Sequence, residues 1–428
     1  METCEKHKKA IINAITGDAL GSTLEGFTIE HIKAVYKSIN DYTDPEPALK
    51  NKLENWKKPG LYTSISQIMI LLLASFGKGK FNINSFINNI KSAPEVENSQ
   101  SGIFRHPDNI LNRFINETET IQNGTADYSA SVKLIPVCLP FSFQSYFEDA
   151  EILNQFKFCT LFTSDSFTIS ACLIFSKLIH KIINSDNFIP GKTLFEAGKT
   201  AAELFEYSRN NSPKIFELKL NPDKISNSIS NYLQLFDSLE KAITLENGIK
   251  IIIENLNSIM KNNIKKISIA HPAAALPLAF LKSKFFIGTE TLLKECVMEG
   301  GSASSTASIA GAISGACGHS IEEESFLIKN LINKKNIISL VNEISAKSWD
   351  SQNVHDFYKS ESLLTKKEFE EYNSKLKHYK KHEKTVKSRK NSENNMALHI
   401  VESWTKTDKA KWKKEKKQFN KEIDESNN

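Results

Sequence analysis

The residues best suited to chemistry lie in a segment rich in glycine and hydroxyl side chains, from Gly300 to Gly315. Its first two residues are glycines, which permit unusual backbone conformations, and the serines and threonines after them can cap a helix. A helix start of this kind also attracts phosphate through free N–H groups and the macrodipole. Gly311 lies four residues before Gly315, so one helix face has no side chains and a second helix can approach closely. The segment predicts a tightly packed central helix, with an anion site at its start as the alternative.

Two acidic side chains near the N-terminus are the next candidates. Asp18 and Glu25 lie at and just after the end of a predicted helix over residues 5–22. A glutamate in a cleft can act as a general base or hold one weakly bound cation. An acidic residue after a helix more often caps it or faces water, and Asp18 is typical of a residue that makes structural hydrogen bonds at a helix end. The sequence alone therefore favours structural roles, and Glu25 becomes a candidate catalytic residue only if the loop after this helix lines a cleft.

The histidines and cysteines form no metal-binding motif in the sequence. Neither His271 nor His319 has a partner at ligand spacing, so structural roles are predicted for both. The six cysteines are scattered without a CxxC pair, and most lie in apolar stretches, which is typical of buried, reduced thiols. The pattern predicts no disulfide framework and favours a reducing compartment.

Apolar residues at helical spacing predict one helix after another, while the period-two alternation of strands is sparse. The predicted fold class is therefore all-α. A capping box is expected at Ser64, and Asp165 or Ser166 can cap a later helix. Pro272 and Pro277 predict a kinked helix. Helices are predicted over residues 5–22, 64–77, 165–185 and 242–261, and loops joining shorter helices over 78–125 and 207–230.

The composition is that of a soluble globular protein. The 428 residues are 40% hydrophobic and 25% charged, which excludes wholesale disorder. The apolar stretches are too short or too polar to span a bilayer, and the charged N-terminus does not resemble a signal peptide. From Lys366 onward there are 18 Lys and Arg against 11 Asp and Glu, so the basic excess belongs to the tail. We expect a cytoplasmic protein, with export as an effector as the alternative.

Four blocks of the chain follow one another in a specific order. They are Gly17-Asp18-Ala19-Leu20-Gly21 with Glu25 four residues on, Tyr62-Thr63-Ser64-Ile65-Ser66-Gln67-Ile68, Thr163-Ser164-Asp165, and Gly300 to Gly315. This order resembles the ADP-ribosylglycohydrolase family, which includes the dinitrogenase reductase-activating glycohydrolases and the eukaryotic ADP-ribosylhydrolases. The family has GDALG and an acidic residue, then Y-T-D-D-T-Q-M, Thr-His before a helix, and G-G-D-T-D-T-T-A-A-I-A-G. A looser match places Val132–Pro136 on the family's M-R-x-x-P segment.

The resemblance implies a compact multi-helix domain, over residues 1–335, with a cleft that binds ADP-ribose. A lysine-rich C-terminal extension, helical or flexible, then covers residues 336–428. In active members two magnesium ions, held by the second and fourth blocks, orient the ribose and activate water to cleave the glycosidic bond. Glu25 aligns with an acidic residue that contacts metal and gates substrate entry in some members. The ligand-binding positions implied are Gly17, Asp18, Gly21, Thr63, Gly300, Gly301, Ser305 and Thr306.

The sequence departs from the family at the metal-binding aspartates. Ser64 and Ile65 replace the two aspartates of the second block, and Ser302 and Ser304 replace those of the fourth. Magnesium needs oxygen ligands and commonly carboxylates, and two such ions bring four positive charges into a partly dry cleft. Neutral hydroxyls and an isoleucine do not compensate that charge. We therefore expect no magnesium cofactor.

Three functions remain open. The first, which the loss of the four aspartates favours, is a family member without hydrolysis that binds ADP-ribose, an ADP-ribosylated protein or another protein partner. The second is an active hydrolase of ADP-ribosylated protein with altered or metal-independent chemistry at Glu25 and the Ser/Thr cluster. The third is a structural or interaction protein that acts through its basic tail. The tail is also the one region expected to bind nucleic acid, and no transmembrane segment is expected.

Overall fold

Helices make up nearly all the regular structure of this chain. The computed structural model describes residues 2–49, 53–77, 80–97, 99–116, 130–143, 149–185, 191–211, 222–259, 269, 272–345, 351–403 and 410–418. In these residues the only strands are β1 (Phe76–Gly77) and β2 (Lys80–Phe81), which pair antiparallel. The all-α fold class is therefore confirmed. His271 lies outside the described residues.

The described helices follow one another along the chain in the order below. In the first part they are α1 (Glu2–Ser22), α2 (Ile29–Tyr36), α3 (Glu46–Leu49), α4 (Ser64–Ala74), α5 (Ile83–Lys91), α6 (Asn109–Asn116), α7 (Leu134–Val137), α8 (Asp149–Phe162) and α9 (Ser166–Ile183). The later helices are α10 (Lys192–Asn211), α11 (Pro222–Glu240), α12 (Leu245–Ile259), α13 (Ala275–Phe285), α14 (Thr289–Met298), α15 (Ala303–Ala316), α16 (Phe326–Lys329), α17 (Lys334–Ser345) and α18 (Ser351–Ser403). Short 3-10 turns cover Leu53–Asn55, Leu139–Phe143 and Pro272–Ala274.

The central feature of the core is the close packing of α1 against α15. A Cβ atom on Gly17 would lie 2.3 Å from the carbonyl oxygen of Ala307, and one on Gly311 would lie 2.3 Å from that of Asn13. These distances are shorter than any van der Waals contact, so only glycine allows the two backbones to meet. The predicted side-chain-free face at Gly311 and Gly315 is thus confirmed, and α1 is the helix that covers it.

Several local expectations differ from the structure. The N-cap of α4 is Thr63, whose side chain accepts the N–H of Ile65, so the capping box at Ser64 is wrong by one residue. Helix α11 begins at Pro222, inside a segment predicted as loop, because its apolar face packs on α9 and α10. Pro277 lies in the first turn of α13, where a helix needs no N–H donor, so it causes no kink there. Asp165 caps α9 as predicted, since its side chain accepts the N–H of Thr168.

The chain divides into two compact units, Met1–Phe369 and Glu370–Asn428. The sequence-based boundary at residue 335 lies inside the first unit, because the first part of α18 packs on the body through buried residues such as Phe357 and Glu361. Helix α18 continues to Ser403.

One described helix, α9, is long and apolar enough to cross a membrane by length and composition alone. The sequence-based expectation was that this stretch is too short or too polar. About four fifths of the helix, 78%, is buried inside the protein, which is the situation of a core helix.

Candidate functional site

Two helix starts, those of α4 and α15, meet at the C-terminal end of α1. Gly21 lies against the start of α15, where an added Cβ would be 2.4 Å from the carbonyl carbon of Ala303. Gly17 contacts the same helix one turn further along, at Ala307. These two glycines therefore position the first block of the sequence against the fourth. Neither has a side chain to offer a ligand, so their contribution to the site is the close approach of the helices.

Asp18 joins α1 to the start of α4. Its side chain is fully buried, at 0% exposure. One carboxylate oxygen, Oδ2, accepts the N–H of Thr63 at 2.9 Å and the hydroxyl of Ser66 at 2.7 Å. The other, Oδ1, accepts the hydroxyl of Thr63 at 2.8 Å. Burial raises the pKa of Asp18, and these hydrogen bonds and the charge of Lys133 oppose that shift. The structural role predicted for Asp18 is thus the one its contacts describe.

Glu25 joins the loop after α1 to the start of α15. Its Oε2 atom accepts the backbone N–H of Ser304 at 2.8 Å and the Ser304 hydroxyl at 2.6 Å. The N-cap residue of this helix, Ser302, makes no side-chain capping hydrogen bond. Glu25 therefore caps α15 from a distant point of the chain. A negative side chain at a helix start is favoured by the helix macrodipole.

The two glycines before α15 form backbone hydrogen bonds with the loop after α1. Gly300 and Gly301 have φ angles of +70° and +59°, which side chains other than glycine rarely adopt. The N–H of Gly301 donates to the carbonyl of Phe27 at 2.8 Å, and the N–H of Gly26 donates to the carbonyl of Gly301 at 2.7 Å. A Cβ on Gly300 would lie 2.0 Å from the Phe27 oxygen. The free anion-binding N–H groups expected at Gly300–Thr306 are therefore partly occupied, and the Glu25 carboxylate already lies at that helix start.

Three of the four positions that carry metal-binding aspartates in the family are buried around these contacts, and the fourth, Ser302, is half-buried. Ser64, Ile65 and Ser304 are each 0% exposed. The hydroxyls of Ser64 and Ser305 are buried and have no hydrogen-bond partner within the described residues. Thr306 is also buried, and its N–H donates to the carbonyl of Ser302. The structure thus brings the second and fourth blocks to one place, as the resemblance implies.

Sequence reasoning missed two lysines near these carboxylates. Burial and repulsion from Lys133 lower the pKa of Lys57 to about 8, while the charges of Glu25 and Asp18 act in the opposite direction. Lys133 is buried, and its ammonium donates to the carbonyl of His106 at 2.6 Å. It belongs to the loosely matching 132–136 segment, where the family has arginine. Lys57 matches no family motif, so no signal in the sequence identified it.

A cavity of about 610 Å³ opens beside Glu25 and Lys57. The rings of Phe27 and His31 stack at 5.0 Å on its wall. Two polar atoms of lining residues, Thr23 Oγ1 and His31 Nε2, are buried without a hydrogen-bond partner in the described part of the chain. Ligand-binding cavities in proteins commonly have volumes of roughly 300–1,000 Å³, with a few polar groups in a mostly apolar wall. This cavity has both properties, and Lys57 places a cation at its edge.

The first part of α18 adds a buried ion pair close to the second block. Glu361 is 0% exposed and pairs with Arg105 at 2.7 Å. Its carboxylate also accepts hydrogen bonds from the Tyr62 hydroxyl and from Gln67 Nε2. The Gln67 side chain, expected in a capping box, instead connects α4 to α18. Sequence analysis assigned this part of α18 to the extension, and no local pattern marked Glu361 as a partner of the second block.

The structure is thus an all-α domain in which the starts of two buried helices, α4 and α15, meet at the end of a third, α1. The chain belongs to the ADP-ribosylglycohydrolase family, whose sequence profile matches residues 2–351. Among solved structures, one described as "ADP-ribosylglycohydrolase-related protein complex" is similar over 81% of this chain and 99% of its own, with 12% identity and a TM-score of 0.41. No curated protein sequence matches the chain.

Proposed function

We propose that this family member has lost magnesium-dependent hydrolysis and acts by binding ADP-ribose or an ADP-ribosylated protein. The observation that carries the proposal is the hydrogen bonding of Glu25 to Ser304. Glu25 aligns with a residue that contacts metal in some family members, but here its carboxylate caps a helix. Asp18 is likewise engaged by Thr63 and Ser66. The carboxylates near the two helix starts are therefore satisfied by protein donors.

The donor set at the substituted positions does not fit two magnesium ions. It offers the neutral hydroxyls of Ser64, Ser302 and Ser304, the last of which already donates to Glu25, and the hydrocarbon side chain of Ile65. Magnesium binds through carboxylates, water and substrate oxygens, and burying it beside neutral groups leaves its charge uncompensated. The nearby charge of Lys57 and Lys133 is positive, which repels a divalent cation further.

The same cations favour an anion. ADP-ribose carries a diphosphate, and a lysine on a flexible stem is a common phosphate partner. The cavity beside Lys57 has room for a nucleotide, and the Phe27–His31 ring pair offers an apolar surface to a base. We place the diphosphate at Lys57 and not at the start of α15, because the Glu25 carboxylate at that helix start would repel it.

The test is calorimetry with ADP-ribose, together with hydrolysis assays on ADP-ribosyl-arginine and ADP-ribosyl-serine peptides with and without magnesium and a chelator. We expect binding and no turnover in either condition. Lys57→Met should abolish the binding heat, whereas Lys33→Met, which removes the same charge from the exposed face of α2, should not. Absence of heat at millimolar ADP-ribose contradicts the binding, and turnover contradicts the loss of hydrolysis.

Turnover that survives the chelator and requires Glu25 would instead support the metal-independent hydrolase.

The third function, a partner bound through the basic tail, is distinguished from the other two by deleting residues 370–428. That deletion leaves the first compact unit intact, whereas a cut at residue 336 or 366 removes buried residues such as Glu368.

A further inference from the structure

Three cysteines that are widely separated in sequence meet in the core, away from the cavity beside Glu25. Cys138 follows α7, Cys159 lies in α8 and Cys172 lies in α9. Each is 0% exposed, and their three Sγ atoms all lie within 4.8 Å of one another. None of the three is in a disulfide. We call these residues the three-cysteine cluster.

A polar side chain with an unused acceptor lies beside the cluster. Gln155, in α8, is also 0% exposed. Its Nε2 donates to the carbonyl of Cys172 at 3.0 Å and to the hydroxyl of Ser176 at 2.8 Å, which uses both amide protons. Its Oε1 atom is buried and has no hydrogen-bond partner within the described residues. An unmatched buried acceptor is costly in an apolar core, so this oxygen marks a position suited to a ligand.

We infer that the three-cysteine cluster is a structural Zn²⁺ site, with three thiolate ligands and the Oε1 atom of Gln155 as the fourth. This site goes beyond the proposed function and is independent of it, since it lies on α7, α8 and α9 and uses none of the residues around Lys57.

The distances between the sulfur atoms suit a tetrahedral metal. Zinc–sulfur bonds of about 2.3 Å place tetrahedral thiolates about 3.8 Å apart. The three Sγ atoms, already within 4.8 Å, therefore need to close by no more than about 1 Å per pair, which side-chain rotation supplies. The Ser176 hydroxyl lies 3.0 Å from the carbonyl oxygens of both Cys138 and Cys172 and shares its one proton between them, which ties the backbones of two ligands together.

Charge favours zinc over a monovalent ion. Each zinc–sulfur bond replaces an S–H bond, so three protons go to solvent and no electron is transferred. Three thiolates with Zn²⁺ carry one net negative charge, whereas three thiolates with Cu⁺ carry two, and a buried apolar site disfavours the larger charge.

The first experiment needs only the native chain. We expect the full-length protein, produced with zinc present and purified under reducing conditions, to retain close to one zinc per chain after dialysis. X-ray absorption at the zinc edge should show about three sulfur neighbours at about 2.3 Å. A chain without zinc, one that selects copper instead, or a zinc shell of nitrogen and oxygen only would overturn the assignment.

Variants locate the ion. Cys159→Ser should lose the zinc. Gln155→Leu, which removes the proposed fourth ligand, should weaken zinc binding at least about tenfold, since loss of even an outer-shell partner has roughly that cost. Cys296→Ser changes an equally buried cysteine outside the cluster and should keep the full zinc content. Full zinc content in a folded Cys159→Ser protein would overturn the inference. If that variant does not fold, the number of sulfur neighbours found by X-ray absorption in the native protein tests the inference.

Discussion

The carboxylate of Glu25 accepts both the backbone N–H and the hydroxyl of Ser304, at 2.8 and 2.6 Å. Ser304 stands where the family has a metal-binding aspartate, and an aspartate at that position would face Glu25 with a like charge. The substitution and the cap are therefore compatible with each other. The candidate catalytic residue and a substituted metal position together form one helix cap.

If Glu25 is a cap, removing it affects stability before it affects any chemistry. Glu25→Ala should lower the free energy of unfolding by about 1 kcal/mol, the usual cost of losing an N-cap side chain. Urea denaturation measures this, and Glu323→Ala, an exposed glutamate, is the control and should change little. Unchanged stability in Glu25→Ala would show that the cap does not form in solution.

The glycine contact between α1 and α15 predicts a severe packing defect. In Gly311→Ala the new methyl group would lie 2.3 Å from the carbonyl oxygen of Asn13, so the helices must separate. We expect a loss of roughly 3 kcal/mol or more, comparable to other overpacked cores, or failure to fold. Gly288→Ala is the control, because its methyl group would meet nothing closer than 3.9 Å. Equal melting temperatures for the two variants would contradict the packing.

The packing of α18 on the body predicts acid sensitivity. Burial raises the pKa of Glu368, but His106 and Arg105 outweigh it and hold that pKa at about 2, against 4.5 for an ordinary glutamate. Because the folded pKa is the lower one, the stabilisation is complete above about pH 4.5 and is lost as the pH falls from 4.5 towards 2. The shift corresponds to about 3 kcal/mol.

Denaturation of the wild type and Glu368→Gln across that range measures this contribution. The variant should be less stable at neutral pH and lose less stability on acidification. Glu370→Gln, two residues further along the same helix and exposed, should behave as the wild type. Parallel pH profiles for the wild type and Glu368→Gln would contradict the role of Glu368.

ADP-ribose binding should weaken at alkaline pH. The pKa of Lys57 is lowered to about 8, so the ammonium loses its proton above that pH when no anion is bound. An anion prefers the charged form, so affinity should fall by up to about tenfold per pH unit above pH 8. Calorimetry should show this fall in the wild type and in Lys33→Met. A pH-independent affinity would exclude Lys57 as the phosphate partner.

Restoring the four aspartates should restore a metal site if the starts of α4 and α15 keep the arrangement that they have in the family. The variant Ser64→Asp, Ile65→Asp, Ser302→Asp and Ser304→Asp should gain magnesium-dependent thermal stability, about 2.7 kcal/mol at a hundredfold excess over the dissociation constant. A buried aspartate at position 65 disfavours folding, because that position is fully buried. If the quadruple variant does not fold, the triple variant that keeps Ile65 is measured instead. A folded quadruple variant with no magnesium response would contradict the alignment of the blocks.

Residue type and spacing along single helices were enough to predict the helical fold and the side-chain-free face at Gly311 and Gly315. The resemblance to the family, and not periodicity, implied that the second and fourth blocks meet and that their aspartates are replaced. Tertiary structure alone decided that Glu25 caps α15, that Lys57 lies among the carboxylates, and that Glu361 belongs to the body. It also decided that three scattered cysteines share one point of the core. Each of these contacts joins segments that are distant in sequence, and periodicity within one helix carries no information about which other segment its side chains will meet.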